Sequence, residues 1–326
     1  MQADTFTKLT IVVCTKNRTG SLQLFFESCD SLVKNEKIDF IIVDSSTPPL
    51  RFEDLAFLSK IQSVTSKIKL IYEKPGIPRA RNRALREIKT DLVTFVDDDI
   101  SLPSNFSTLI LEHFNKYPQT AGVGPRILGM YDGFQISENE GFFTKIYKRR
   151  VKKSFGKLTN YGENFWFPEI YTPVLALCEW LPGCCMTYNF KIIKNLIFNT
   201  SLENGPGKSY AVGEDVDFSS RASEFGPLYF VSSILIEHRE EPGARDDRLL
   251  MAKARGSFRA YLTYEQRIPI LPALYHLTVN LGASLLRILI GKPNASKKLK
   301  EDVVTVIFYI RELYLRKLKQ REVETS

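Results

Sequence analysis

The first 117 residues alternate between two kinds of segment, and this alternation limits the fold more than any other feature of the chain. Short, nearly all-apolar runs rich in β-branched residues predict strands at 9–15, 38–44, 68–73 and 91–97. Helix-like stretches lie between or after them, at 21–35, 78–89 and 103–117. Strands and helices that alternate at this spacing indicate βαβ units. We therefore predict an α/β fold with a mostly parallel sheet whose strands are covered on both faces.

The composition is that of a globular protein. The chain has 326 residues, of which 44% are hydrophobic and 25% charged, which is enough for one large domain with an appendage or for two domains. The first residues lack the basic and then apolar order of a signal peptide, and no apolar run reaches the roughly 18 residues of a spanning helix. We therefore expect a cytoplasmic protein. Its five cysteines form no CxxC pair, which favours reduced thiols.

Polar residues follow three of the predicted strands. Thr15 and Asn17 lie at the end of the first strand, Asp44 ends the second, and the run 97–99 consists of three aspartates at the end of the fourth. In an open α/β sheet these turns share the edge where ligands bind. Carboxylates gathered there need a cation, and oxygen ligands favour Mg²⁺ or Mn²⁺ completed by substrate phosphates. The alternative for the three aspartates is a solvated turn or a helix cap.

Several segments, taken together and in order, resemble the family 2 glycosyltransferases with the GT-A fold, which transfer a sugar from a nucleotide diphosphate sugar. The matching segments are IVVCTKNR, FIIVDSST, GIPRARN, FVDDDIS, CEWLPGCCMTYN, GEDVDFSSRASEFG and VSSILIEHRE. They cover roughly residues 8–240. The resemblance implies a Rossmann-like, mostly parallel sheet flanked by helices.

The resemblance also implies roles on the donor side. Thr15 and Asn17 would contact the nucleoside, and Asp44 would accept a hydrogen bond from a base N–H or a ribose hydroxyl. The alternative for Asp44 is an Asx turn. Arg81 would lie near the donor, because a planar guanidinium suits phosphate or base oxygens. Its alternative is a surface arginine, and Arg79 and Arg83 are close competitors for the role.

The FVDDDIS segment resembles the DxD-type motif of this family. By that resemblance Asp97 and Asp99 would face a Mn²⁺ or Mg²⁺ ion, with Asp99 the direct ligand, and Asp98 would contact the ribose. His238 follows a strand-like run, and some family members use a histidine at this place to bind the metal or the diphosphate. The metal would offset the charge that develops on the leaving nucleoside diphosphate.

GEDVDF resembles the motif that supplies the general base. The matching residue is Asp215, which would take the proton of the acceptor hydroxyl, so the sugar would arrive with inverted configuration. The alternative for Asp215 is a helix-capping acid, and Glu214 would bind the acceptor or be structural. On the acceptor side Trp180 would stack on a sugar face, and Gly183 would let the backbone approach a ligand.

The resemblance fades beyond about residue 245. We predict a glycosyltransferase domain at 1–245, with a donor half at 1–125 and an acceptor half at 126–245, and a basic, amphipathic helical extension at 246–326. Within 271–292 polar residues recur at helical spacing and leave a wide apolar face. Three roles stay open for these helices: packing on the catalytic domain, formation of a homo-oligomer, or peripheral contact with an anionic membrane.

These features predict a metal-dependent, inverting glycosyltransferase that takes a UDP- or dTDP-sugar as donor. Its acceptor would be a saccharide or a lipid-linked saccharide in polysaccharide biosynthesis, at the inner face of the cell membrane. A catalytically silent scaffold subunit with the same fold and a metal-dependent nucleotidyltransferase are the alternatives. The net charge of +8 raises the question of nucleic acid as a partner, but acids at strand ends argue against it.

Overall fold

The computed structural model describes residues 5–60, 67–129, 153–168, 174–203, 212–239 and 248–324. Within them, the strands are β1 Leu9–Thr15, β2 Ile38–Asp44, β3 Lys67–Tyr72, β4 Leu92–Asp97, β5 Ile100–Ser101, β6 Gly122–Leu128, β7 Leu175–Cys178, β8 Cys185–Asn189 and β9 Leu228–His238. The α-helices are α1 Thr19–Ser28, α2 Asp30–Val33, α3 Phe57–Lys60, α4 Ile77–Leu85, α5 Phe106–Lys116, α6 Phe190–Ile193, α7 Glu214–Ala222, α8 Arg248–Tyr264, α9 Ile270–Leu289 and α10 Ala295–Glu324. Single 3₁₀ turns lie at Phe52–Leu55 and Thr200–Leu202.

All these strands belong to one sheet, with the order β3-β2-β1-β4-β8-β6-β9-β5, and β7 pairs with β9. The four strands from the βαβ half of the sequence pair in parallel, while β8 pairs antiparallel with both β4 and β6. The mostly parallel α/β sheet predicted from the sequence is therefore confirmed. Helices flank it because each βαβ crossover must return over a face of the sheet.

The strands at the centre of this half have their side chains buried on both faces. Every residue of β1 is buried, and β2 and β4 each have one residue that is only partly buried. The prediction that β3 is covered on both faces was wrong. Its burial alternates, and the Tyr72 side chain is 51% exposed, because β3 is the edge strand beside β2. Lysines at Lys67 and Lys69 suit such an edge, where they hinder pairing with another chain.

The described residues fall into two compact units. The first lies within Met1–Lys157, Phe165–Ser209 and Glu214–Pro242 and contains the sheet. The second consists of Leu158–Asn164 and described residues of Tyr210–Gly213 and Gly243–Ser326, and it contains α8, α9 and α10. The helical extension predicted at the C-terminal end is thus present. The domain limit near residue 245 remains a prediction.

The second unit has its own buried interior. Phe258, Tyr261 and Leu262 of α8 are buried there, as is Tyr309 of α10. A Cβ at Gly256 of α8 would lie 2.3 Å from the Thr305 carbonyl oxygen, so the two helix backbones approach closely at this glycine. Across the described residues, every helix falls short of the length and apolarity that crossing a membrane requires.

Candidate active site

The ends of three adjacent parallel strands bring the predicted donor residues to one edge of the sheet. Thr15 of β1 pairs in register with Asp44 of β2, and Cys14 of β1 pairs with Asp97 of β4. The carboxyl ends of β1, β2 and β4 therefore meet, as the alternation of strands and helices predicts. The chain leaves β4 through the three consecutive aspartates, which are followed at once by β5.

Two of these aspartates are held by the turn that follows β1. Asp98 is buried, and its Oδ2 accepts a hydrogen bond from Thr15 Oγ1 at 2.6 Å. Arg18 forms ion pairs with both neighbours, through Nη1 to Asp98 Oδ1 at 2.8 Å and through Nη2 to Asp99 Oδ2 at 2.9 Å. His238 Nε2 lies 3.3 Å from Asp99 Oδ1. Arg18 thus offsets the charge of two adjacent carboxylates, and the imidazole of His238 lies beside the second.

The surroundings move the pKa values of the three carboxyls in different directions. Burial raises the pKa of Asp98 to about 7, against the opposing effect of the Thr15 hydrogen bond and the Arg18 charge. Burial also raises the pKa of Asp99, but hydrogen bonds from His238 and Arg18 outweigh it, and the net direction is downward. Burial raises the pKa of Asp97, although 35% of its side chain stays exposed, which limits the effect. Asp99 is therefore the carboxylate most readily ionised.

Arg81 is a buried hub between the two acidic segments. Its side chain is only 4% exposed. Nη1 contacts Glu214 Oε1 at 3.1 Å, Nη2 donates to the Gly183 carbonyl oxygen at 2.8 Å, and Nη2 lies 3.7 Å from Asp97 Oδ1. Burial lowers the pKa of Arg81, but the charges of Glu214 and Asp97 more than offset this and the pKa is raised. One guanidinium therefore ties the end of β4 to the start of α7.

The predicted base lies in the first turn of α7, beside a glycine. Asp215 Oδ2 accepts a hydrogen bond from the backbone N–H of Gly183 at 2.9 Å, and Oδ1 accepts from Val216 N at 2.8 Å. Burial raises the pKa of Asp215, and burial together with the Asp215 charge raises the pKa of Glu214. The positive end of the helix dipole favours ionised acids in this turn. Glu214 pairs with Arg81 at 3.1 Å, and the charge of Arg81 also lowers the pKa of Asp215, against the larger effect of burial.

Gly183 permits this arrangement because it lacks a side chain. A Cβ at this position would lie 3.1 Å from Asp215 Oδ2 and 3.4 Å from Arg81 Nη2. The first distance is tighter than ordinary van der Waals contact, so a methyl group would displace the carboxylate. The sequence predicts that Gly183 lets the backbone approach a ligand. In the structure its backbone approaches Asp215 and Arg81.

Asn17 and Asp44 form a neighbouring network of their own. Asp44 is buried, and its two oxygens accept hydrogen bonds from Ser46 N at 2.9 Å and Leu50 N at 2.8 Å. Asn17 has a φ of 55°, which asparagine tolerates, and its Oδ1 accepts from Thr47 N at 2.9 Å. The Asp44 contacts are those of the Asx-turn alternative. They order the loop after β2, and a nucleoside contact by Asp44 stays a prediction.

Trp180 lies in the buried core of the first unit. Its side chain is buried, and its ring packs edge-on against Trp166 at a centroid distance of 5.3 Å. Trp166 in turn contacts Phe167 and Phe230. This placement differs from the open, sugar-stacking position that the sequence predicts. Two tryptophans can bury more apolar area against each other than either would bury on a loop surface, so Trp180 belongs to the core of the first unit.

Two contributors to the site were missed at the sequence level. Arg18 directly follows Thr15 and Asn17, and its place beside these predicted donor residues could have identified it as a site residue. Cys184 follows Gly183, and its carbonyl oxygen accepts from the Asp97 N–H at 3.0 Å. Burial, and then the nearby charges of Asp97 and Asp215, hold the pKa of the Cys184 thiol well above its usual value. A buried thiol whose pKa is raised in this way is not a nucleophile.

The donor set fits a divalent cation that shares its coordination with a substrate. Two carboxylates, Asp97 and Asp99, and the imidazole of His238 are ligands that Mn²⁺ accepts, and the carboxylates suit Mg²⁺. The described residues contain no preformed cluster of three or more such side chains. A cation held by one or two carboxylates and completed by phosphates needs no such cluster.

The match to a family of known proteins covers more than half of the chain. Residues 10–195 match the family model for glycosyl transferase family 2. The chain belongs to this family. The matched range includes Thr15, Asp44, Arg81 and the three consecutive aspartates, whereas α7 and His238 lie beyond it. No curated protein matches the sequence at a significant level.

Solved structures show the fold of this family 2 protein. It is similar to the mannosyltransferase PcManGT from Pyrobaculum calidifontis, solved in complex with GDP-Man and Mn²⁺, with a TM-score of 0.54 and 13% identity. The match covers 94% of this chain and 87% of that one. S. aureus TarS matches with a TM-score of 0.47 and 16% identity, over 79% of this chain and 43% of TarS. At these identities the first likeness shows a shared glycosyltransferase fold.

Proposed function

We propose that this family 2 protein is a metal-dependent, inverting glycosyltransferase that moves a sugar from a nucleotide diphosphate sugar to a hydroxyl group. The observation that carries the proposal is the position of Arg81. Its contacts to Asp97, Glu214 and the Gly183 carbonyl join the predicted donor segment to the predicted base segment. A transferase needs both in one site, because the acceptor must reach the anomeric carbon while the diphosphate is held.

On the donor side, Asp99 is the principal metal ligand in this proposal. Its pKa is lowered, so it is ionised at neutral pH. Asp97 and His238 would complete the protein's share of the coordination. The cation, when bound, would offset charge on the leaving nucleoside diphosphate. Asp98, whose two oxygens are engaged by Thr15 and Arg18, would hold the turn in place and accept a hydrogen bond from a ribose hydroxyl with a remaining lone pair.

On the acceptor side, Asp215 is the general base. Each of its oxygens accepts one backbone N–H, and a carboxylate oxygen has a further lone pair for the acceptor hydroxyl. The hydroxyl oxygen would attack the anomeric carbon as its proton passes to Asp215. The bond from that carbon to the diphosphate oxygen would break, and the sugar would be inverted. Burial raises the pKa of Asp215, which brings its basicity closer to that needed at neutral pH.

The donor and the acceptor are proposed as classes. UDP- and dTDP-sugars are favoured by the sequence resemblance, and the fold neighbour solved with GDP-Man adds GDP-sugars to the panel to be tested. The proposed acceptor is a saccharide or a lipid-linked saccharide at the inner face of the cell membrane, as predicted from the sequence.

Calorimetric binding of UDP, dTDP and GDP, each with and without Mn²⁺, tests the donor site. We expect one nucleotide to bind only with Mn²⁺, and the substitution Asp99→Asn to weaken it at least about tenfold. Asp30→Asn is the matched control, because Asp30 is an exposed aspartate on α2 that pairs with Lys34. If no nucleotide binds under any condition, the proposal is wrong.

Product analysis separates the proposal from its alternatives. A transferase releases a nucleoside diphosphate, and proton NMR of the new glycoside reports whether the anomeric centre has inverted. A nucleotidyltransferase would release pyrophosphate instead. A protein that binds nucleotide and Mn²⁺ but turns over no donor, and whose Asp215→Asn variant behaves like wild type, would be a silent scaffold.

A further inference from the structure

Helix α9 turns its polar residues toward its own unit. His276 Nε2 lies 2.9 Å from Glu163 Oε1, and Asn280 Nδ2 lies 3.1 Å from His276 Nε2. One turn further on, Ser284 Oγ donates to Asp302 Oδ2 at 2.5 Å, and both side chains are buried. These residues recur at helical spacing, so they form one stripe along the helix. An ordinary surface helix of a globular protein turns its apolar stripe inward. Helix α9 buries Ala273 and Leu277 beside its polar stripe and leaves most of its large apolar side chains exposed.

The face of α9 that is open to solvent is apolar. Its exposed apolar side chains include those of Leu271, Leu274, Tyr275, Val279, Leu285, Leu286 and Leu289. Leu271 is 74% exposed and Leu289 82%. The charged residue of α9 is Arg287, which lies roughly 160° around the helix from Leu289 at 100° per residue. Thr278 is an exposed polar residue on this face, and its hydroxyl donates to the Leu274 carbonyl oxygen within the helix. An apolar face of this length marks an interaction surface.

A lysine cluster follows this face directly. Lys292, Lys297, Lys298 and Lys300 lie between the end of α9 and the second turn of α10. Lys292, Lys297 and Lys300 are exposed, whereas Lys298 pairs with Asp302 at 2.8 Å. Lysines at the end of an apolar helix face are complementary to anionic lipid headgroups, which they attract while the apolar residues enter the acyl boundary.

We propose that the exposed face of α9, together with the lysine cluster, docks on an anionic membrane surface. The helix would lie in the plane of the interface, since it does not reach the length and apolarity of a spanning helix. A second copy of the chain is the alternative occupant of this face, and the oligomeric state measured below separates the two. This inference does not depend on the transfer reaction, and vesicle binding is measured without donor or acceptor.

Flotation with vesicles tests the proposal directly. We expect the full chain to float with vesicles that contain phosphatidylcholine and about one third phosphatidylglycerol, and to bind pure phosphatidylcholine at least about tenfold more weakly. The double substitution Leu285→Glu/Leu289→Glu should weaken binding by about tenfold or more. Lys297→Gln/Lys300→Gln should remove most of the preference for phosphatidylglycerol, and added salt should do the same.

The matched control is Leu177→Glu/Phe225→Glu. These side chains belong to the first unit and are 66% and 57% exposed, so the control adds the same charge to apolar surface of the other unit. Circular dichroism and the thermal midpoint confirm that each variant folds. The proposal is overturned if wild type ignores anionic vesicles, or if the α9 variant and the control bind alike. It is also overturned if sedimentation shows a dimer that the α9 variant abolishes and vesicles do not affect, because the face then binds a second copy.

Discussion

Arg81 and Glu214 form a buried ion pair, with Nη1 and Oε1 3.1 Å apart, between helices α4 and α7. The two residues are far apart in the sequence, and one arginine also reaches Asp97 and the Gly183 carbonyl. Arg81 is thus the cation that joins the two acidic segments of the site, which makes its removal informative.

Replacing Arg81 should destabilise the fold. Arg81→Gln leaves Glu214 buried without its partner, so we expect the free energy of unfolding to fall by about 3–5 kcal/mol. Arg83→Gln is the matched control on the same helix, because Arg83 is partly exposed and pairs with Glu87, and it should cost less than about 1 kcal/mol. Urea unfolding measures both. Equal losses would show that Arg81 does not hold the two segments together.

Adding one methyl group at Gly183 should affect catalysis more than binding. The Cβ of Gly183→Ala would meet Asp215 Oδ2 at 3.1 Å and shift the proposed base. We expect kcat to fall about tenfold or more while the nucleotide Kd changes less than about threefold. Gly20→Ala is the control, since a Cβ there meets no atom within 4 Å. A Gly183→Ala enzyme with normal kcat would exclude Asp215 as a precisely placed base.

Arg18 should compete with a divalent cation for the carboxylates. Its guanidinium pairs with Asp98 and with the proposed metal ligand Asp99, so Arg18→Met leaves both carboxylates with more negative charge around them. We expect Mn²⁺, measured by calorimetry without nucleotide, to bind about threefold or more tightly. Lys16→Met removes the same charge two residues away and serves as the control. Weaker Mn²⁺ binding in Arg18→Met alone would mean that Arg18 positions Asp99.

His113 should make the fold sensitive to acid. Burial, and then the charge of Lys116, lower its pKa to about 4. The unfolded chain, with a pKa near 6.5, binds more protons than the folded one, so this contribution to stability is present above about pH 6.5 and is lost as the pH falls toward about 4. The loss is about 2 kcal/mol after allowance for partial exposure.

The substitution His113→Gln tests this assignment. Its free energy of unfolding should change less between about pH 7 and pH 5 than that of wild type, as urea unfolding at each pH will show. Thr120 Oγ1 lies 3.3 Å from His113 Nε2, and the glutamine amide can replace that contact. If both proteins lose stability equally over this range, another group is responsible.

Much of the sheet could be predicted from the sequence because its signal is local. The predicted strands at 9–15 and 38–44 coincide with β1 and β2. Parallel strands that are buried on both faces have nearly continuous apolar sequences, which makes them easy to recognise. Parallel pairing then places Thr15, Asp44 and Asp97 at one edge. The exposure of β3 could not be predicted, because position in the sheet and not composition makes it the edge.

The sequence left three arginines, Arg79, Arg81 and Arg83, as candidates for the donor site. Helical periodicity could have shown which of them is buried. Arg81 lies on the same face of α4 as the buried Ala84 and Leu85, whereas Arg79 pairs with Glu203 and Arg83 with Glu87. The contacts of Arg18 and the inward direction of the polar stripe of α9 could not have been predicted from helical periodicity. They depend on long-range partners such as Asp99 and Glu163, which no local pattern reveals.

The cation partners of the three aspartates also limit how this site can be redesigned. Asp97 ends β4 and lies near Arg81, whereas Asp98 and Asp99 form the two-residue turn before β5 and share Arg18. A residue inserted into this turn would shift the carboxylates away from these cations and leave their negative charges less offset. A loop grafted from another glycosyltransferase to change the donor must therefore keep the residue count between β4 and β5, whatever amino acids it brings.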